Sequence, residues 1–204
     1  MNTIKGFFAR FFGNQEENLL KSEAWIQTSS GRKFHIFKPK AEDIVIEDAA
    51  HALSLQCRFT GHTPELYSVA QHSIYVSMMC SEENALCALL HDLPEAYIGD
   101  MATPLKRRMN AFNQVEGEIW KTVSTKYGLP EIMPPEIKVC DKKAFRMEWA
   151  YLMGGKNLDG EQFIISKEEF NKKTPAEVKK EFIELFHKLL EKHNGVNKIP
   201  VITV

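Results

Sequence analysis

The sequence has no CxxC pair, no apolar run long enough to span a membrane, no internal repeat and no surplus of charge of one sign. Its cysteines, Cys57, Cys80, Cys87 and Cys140, stand singly. That spacing argues against a thiolate zinc site and against a disulfide framework, and fits small core residues in a reducing cytosol. A cytoplasmic location and no membrane span are expected. Lys and Arg number 26 against 27 Asp and Glu, a formal net charge of -1, so no broad surface for stable nucleic-acid binding is expected. No Pro/Gly/Ser-rich linker divides the chain. What is present is an ordinary globular balance, 44% apolar and 26% charged over 204 residues, enough for one domain with a substantial core.

Residues 1–24 read as an extension, and residues 25–204 as the single domain. In the extension Phe7, Phe8, Phe11 and Phe12 recur at helical spacing beside Lys5 and Arg10. This predicts an amphipathic helix that packs on the domain or a partner, with a membrane-surface anchor as the alternative. "WIQTSSGRKFHIFKPKAEDIVI" (25–46) places β-branched and aromatic residues around a Ser-Gly turn, predicting a short hairpin or extended arm. From residue 47 the pattern is helical. "IEDAAHALSLQCRF" is one helix, and Pro64 is expected to open the next, "PELYSVAQHSIYVSMMC". Ser81 is expected to cap "SEENALCALLHD", which Pro94 then disturbs. Further helices end at Gly128, run from Pro134-Pro135 to the Gly154-Gly155 pair, and close the chain with an amphipathic segment. The expected architecture is all-α, a helical bundle with a small N-terminal β element.

Among the seven histidines, His35, His51, His62, His187 and His193 have no liganding neighbour on the same element, although His62 lies near Arg58 in "CRFTGHT". His72 differs. It lies mid-helix in an apolar stretch, where an unpaired ring is costly to bury. The next helix offers His91-Asp92, and a third offers Asp141 in "IKVCDKKAF". Two imidazoles and two carboxylates converging from three helices are a familiar way to hold a divalent metal. Adjacent helical residues point about 100° apart, so His91 and Asp92 can share one ion only near a helix end, which Pro94 supplies. Glu95, one turn beyond, is placed over the same site, where a carboxylate suits removal of a proton from an activated water. Gly99 could turn the chain so that Asp100 returns to the pocket; capping of the segment near Pro104 is the other reading of Asp100. Of the basic residues nearby, Arg58 in an apolar helix end and Lys106 after "TPL" are singled out as partners for a phosphate.

The order His72, His91-Asp92, Asp141 resembles the H…HD…D order of the HD-domain metal-dependent phosphohydrolases. "RFTGHTPELYSVAQHS", "LLHDLPEAYIGDMATPLK" and the upstream "SGRKFHIFKPKAEDIVIEDAAHALS" look like the small bacterial and phage members similar to the 5′-deoxynucleotidases. The resemblance covers roughly residues 25–150 and implies an all-α HD-domain fold. It implies one divalent transition metal (Co, Mn, Fe, Zn or Ni, with Mg as an alternative) held by His72, His91, Asp92 and Asp141. Glu95 matches the acid that activates the attacking water. Asp100 matches a second acid that contacts substrate or assists proton transfer. Arg58 matches an arginine that faces the nucleotide; a tryptophan follows it in those enzymes, and Phe59 follows it here. Phe59, His62 and Lys106 complete the expected substrate contacts. The implied reaction is hydrolysis of deoxynucleoside monophosphates to deoxynucleoside and phosphate. The alternatives are a dATP-type triphosphohydrolase and, in another class, a non-catalytic nucleotide-binding sensor. A homodimer or higher homo-oligomer is also implied.

Overall fold

Val69–Ser77 are buried at every consecutive position, polar side chains included. A helix buried on all sides must be surrounded by other elements, and this one is. The computed structural model describes residues 24–154, 165–167, 169, 170 and 173–196. The central helix is α2 (Val69–Met79). It packs against α1 (Ile46–Leu55), α3 (Ala85–Leu90), α7 (Pro135–Leu152) and α8 (Pro175–Val196). Two short helices, α4 (Glu95–Ile98) and α5 (Thr103–Lys106), follow α3, and α6 (Asn110–Tyr127) lies between α5 and α7. The protein is mostly helical with a small β element, the expected all-α class. Among the described residues, no helix is long and apolar enough to cross a membrane. The Phe-rich N-terminal helix expected from Phe7 to Phe12 lies outside the described residues.

The β element is an antiparallel hairpin of β1 (Trp25–Gln27) and β2 (Lys33–His35), with Ile26 opposite Phe34. Its turn is tied to α1 by a single carboxylate. Asp48, buried in the first turn of α1, accepts hydrogen bonds from Thr28 Oγ1 (2.7 Å), Ser29 Oγ (2.6 Å), Ser30 N (2.9 Å) and Ser30 Oγ (2.6 Å). Phe34 stacks on Tyr97 of α4 with ring centroids 3.6 Å apart. Full burial of a side chain such as Phe34 is worth about 1.5–3 kcal/mol, so the hairpin is held on the bundle from both ends.

Helix ends differ from expectation where backbone pairing competes. Pro64 does not open α2. Residues 56–58 and 67–69 instead pair as extended chain, with Arg58 N donating to Tyr67 O (2.9 Å) and Val69 N to Gln56 O (3.1 Å). The helix therefore waits for Ser68, whose Oγ accepts from Gln71 N at 3.2 Å and caps it. For the same reason α1 stops at Leu55, and Arg58 lies on extended backbone beyond it. Ser81 does not cap α3. Glu136 of α7 takes its amide (2.9 Å) and hydroxyl (2.6 Å), and α3 begins four residues later at Ala85. The other ends follow the sequence signals. Gly128 closes α6 in the left-handed conformation (φ 66°), Pro135 sits in the first turn of α7, and Thr174 and Glu177 form a reciprocal capping box on α8.

Candidate metal centre

His72 is fully buried on α2. Its Nδ1 lies 2.5 Å from Glu148 Oε1. Its Nε2 lies 3.3 Å from Asp141 Oδ1 and 3.6 Å from Asp92 Oδ2, ion-pair distances without hydrogen-bond alignment. That buried nitrogen has no hydrogen-bond partner among the described residues. His91 shows the same polarity. Its Nδ1 donates to Ala88 O at 2.8 Å, and its Nε2 lies 3.2 Å from Asp92 Oδ2. Both imidazoles thus present Nε2 to one point, each oriented through Nδ1 as ligating histidines usually are. Ligand atoms of His72, His91 and Asp141 all lie within 4.8 Å of one another, and this cluster could hold a metal ion. Asp92 adjoins it through its contacts with both rings.

The turn after α3 is what brings His91 and Asp92 together. His91 keeps helical dihedrals as the C-terminal cap of α3 (φ -60°, ψ -35°). Then Leu93 N bonds Leu90 O, Glu95 N bonds Asp92 O and Ala96 N bonds Leu93 O, three-residue steps tighter than an α-helix. Pro94, lacking an N–H, fits there without an orphaned donor. Asp141 faces the cluster from α7 with a side chain 41% exposed, so it forms the open side of the centre.

Charges in this centre shift one another. Burial and Arg58 push His72 down, yet Glu148 and Asp141 outweigh them and raise it to about 9. Burial would raise Asp92, but His91, His72 and Arg58 hold it well below the usual carboxylate range. Asp141 is likewise lowered against its burial, by His72 and then His91. In the metal-free protein the two carboxylates are therefore ionised around a protonated His72. Two ionised carboxylates facing a buried imidazole nitrogen with no hydrogen-bond partner fit a divalent cation, whose binding would displace the proton from His72 Nε2.

Glu95 opens α4 and is buried. Burial, then Asp92 and Asp100, push its carboxyl up to about 10. Its Oε1 lies 3.6 Å from Lys106 Nζ, and its Oε2 has no hydrogen-bond partner among the described residues. Asp100 follows Gly99, whose φ of 82° and ψ of 155° are open almost only to glycine. The turn brings Asp100 into the electrostatic field of Arg58, Asp92, Lys106 and His72, and burial raises its carboxyl. Asp100 does not cap α5, whose cap residue is Ala102.

Arg58 reaches the cluster with Nη1 3.8 Å from Asp92 Oδ2 and Nε 3.2 Å from Glu148 Oε2. It is not in a helix end, as its apolar surroundings had suggested. It lies on extended chain, and Phe59 (φ 53°), Thr60 (φ 53°) and Gly61 (φ 76°) reverse direction immediately after it. Phe59 stacks on Phe145 with centroids 5.8 Å apart, beside the guanidinium. His62 is exposed at the end of this turn, and its ring makes no hydrogen bond or ion pair among the described residues. Lys106 is held by Glu116 of α6 at 2.5 Å as well as by Glu95.

Three participants were missed from sequence. Glu148, fully buried, binds His72, Arg58 and Tyr67. It follows Asp141 by seven residues, two turns on the same helical face, and that spacing was the available signal. Tyr67 donates its hydroxyl to Glu148 at 2.9 Å. Glu116 restrains Lys106 from another helix, and no local pattern announces it.

Fold and site define an all-α protein with a partly buried His/Asp cluster able to hold a metal ion. No family model matches the chain. It is 42% identical to the uncharacterized protein YfdR of Escherichia coli over 118 residues, 58% of this chain and 66% of YfdR. It is 30% identical to the uncharacterized protein RCAP_rcc00048 of Rhodobacter capsulatus over 193 residues, 84% of this chain and 98% of that protein. The chain belongs to the family of RCAP_rcc00048.

Proposed function

We propose that the protein is an HD-type, metal-dependent nucleotide phosphohydrolase, specifically a 5′-deoxynucleotidase that releases phosphate from deoxynucleoside monophosphates. The observation that carries this reading is His72 Nε2, fully buried and without a hydrogen-bond partner, facing two carboxylates. His72, His91, Asp92 and Asp141 would hold the ion, and mixed imidazole and carboxylate donors suit a divalent transition metal. The H…HD…D order supports the same reading. When bound, the cation supplies Lewis acidity toward water and toward a phosphoryl oxygen.

The chain's own groups would do the rest. Arg58 offers a fixed cation for a phosphoryl oxygen, with a guanidinium geometry suited to bidentate contact. Glu95 would take up and return a proton. Positive charge at the neighbouring ligands would favour its ionised form, opposing the burial and the Asp92 and Asp100 charges that keep it protonated in the metal-free protein. Asp100 carries the substrate-side polar contact. The Phe59–Phe145 pair, beside the Arg58 guanidinium, offers an apolar surface suited to a base or sugar.

The test is a substrate panel. Protein loaded with Mn²⁺, Co²⁺ or Mg²⁺ is assayed against every dNMP and dNTP, and each product is identified. Phosphate release from dNMPs is expected. Triphosphate release from dATP would reassign the substrate within the class, and no turnover with any nucleotide would overturn the enzymatic reading.

A further inference from the structure

We infer that Glu148 is a positioning residue that locks the ligand His72 and the cation Arg58 into one fixed relation. The inference rests on the metal-centre reading above. One carboxylate serves both groups. Oε1 lies 2.5 Å from His72 Nδ1 and accepts from Tyr67 Oη at 2.9 Å, while Oε2 accepts from Arg58 Nε at 3.2 Å. The side chain is 0% exposed, so no water competes for it.

Two consequences follow for the neighbours. With Nδ1 committed to Glu148, only His72 Nε2 is left to face Asp92 and Asp141. With Nε committed to Glu148, the Arg58 fork is turned so that Nη1 comes to 3.8 Å from Asp92 Oδ2, at the edge of the same cluster. Glu148 therefore sets the distance between the point where a cation would sit and the point where an anionic group would be gripped. It ties three elements at one point: α2 carries His72, α7 carries Glu148 and Asp141, and the extended segment carries Arg58. Burial of a carboxylate is costly unless all its bonds are made. A neutral amide of the same shape could not replace it. Its nitrogen would meet either Arg58 Nε, donor against donor, or His72 Nδ1, which could accept only with its proton moved to Nε2, the ligating atom.

The experiment compares wild type, Glu148→Gln and Tyr67→Phe. Each is titrated with Mn²⁺ by calorimetry, and the Mn²⁺-loaded forms are titrated with inorganic phosphate. Thermal unfolding of the metal-free forms is recorded alongside. Glu148→Gln is expected to lose Mn²⁺ affinity by roughly 10–100-fold and to bind phosphate more weakly, and Tyr67→Phe, which removes one of the three bonds to the carboxylate, to lose less than Glu148→Gln. A merely structural role would lower the unfolding temperature and leave the affinity of the folded variant unchanged. Equal Mn²⁺ affinity in wild type and Glu148→Gln overturns this inference and leaves the metal centre standing. Absence of Mn²⁺ binding by wild type overturns both. A second measurement needs no variant. In Zn²⁺-loaded wild type, long-range ¹H–¹⁵N spectra should show His72 protonated at Nδ1 and ligated through Nε2. Ligation through Nδ1 would overturn the inference even if Glu148→Gln fails to fold.

Discussion

Replacing Asp48 by Asn should loosen the N-terminal hairpin without touching the candidate centre. In the native protein both carboxylate oxygens are used: Oδ1 accepts from Ser29 Oγ and Ser30 N, and Oδ2 from Thr28 Oγ1 and Ser30 Oγ. Asparagine keeps one acceptor oxygen and turns the other into an amide donor. The two hydroxyls facing that position must then rotate or be left to water, and the remaining two bonds lose their charge assistance. Bonds to a charged acceptor are worth about 1.5–3 kcal/mol each. Because Ser29 and Ser30 are exposed and can turn to solvent, the net loss should be about 1–3 kcal/mol. For a domain of this size each kcal/mol moves the melting temperature by about 2–4 °C, so a fall of roughly 2–12 °C is expected near pH 7. The pH dependence has a defined sign. Despite its burial, the Asp48 carboxyl is held below its ordinary value by Ser29, Ser30 and Thr28. The folded state thus binds fewer protons at this group than the unfolded state does. Its contribution is complete above the unfolded value of about 4 and is lost as pH falls through the lower folded value. Thermal unfolding by circular dichroism from pH 7 to pH 3 should therefore show the two proteins converging at the acid end. Equal melting temperatures at pH 7, or a gap that widens on acidification, would refute the reasoning.

Glu95→Gln should keep Mn²⁺ affinity within a few-fold and lower turnover on the best substrate by about 10²–10⁴-fold, read by calorimetry and steady-state kinetics together. Gly99→Ala forces a side chain onto φ 82°, ψ 155°, where backbone strain costs about 1–3 kcal/mol; denaturant unfolding should register that loss although a methyl group there has open space around it. Saturating Mn²⁺ should raise the melting temperature, by about 2.7 kcal/mol of stabilisation at a hundred times the dissociation constant, and excess chelator should reverse it. His72→Ala should abolish that metal-dependent shift, and a shift retained by the variant would place the ion elsewhere.

Much of the fold was legible locally because its signals are local. The unbroken burial of α2 shows as a segment without a charged residue, the stops at Gly128 and Gly154 show as glycines free to take positive φ, and the start at Pro135 shows as a residue with fixed φ. Where the reading slipped, a long-range bond had won. Pro64 has the chemistry to start a helix, but pairing between residues 56–58 and 67–69 holds the chain extended until Ser68. Ser81 has the chemistry of a cap, but Glu136 from α7 claims it.

The centre divides in the same way. The sequence alone determined which residue types are available: His72 in an apolar helix, His91-Asp92 before a proline and Asp141 on a third helix. Those positions are each costly to bury unpaired, and that cost can be read one residue at a time. Only the tertiary structure decided which atoms face one another. It turned both Nε2 atoms inward, gave Glu148 the linking place between His72 and Arg58, set Lys106 between Glu95 and Glu116, and left His62 in solvent. Those outcomes depend on how α2, α7 and the extended 56–58 segment pack, and a side chain's partner across a helix interface carries no signature in its own neighbourhood of the chain.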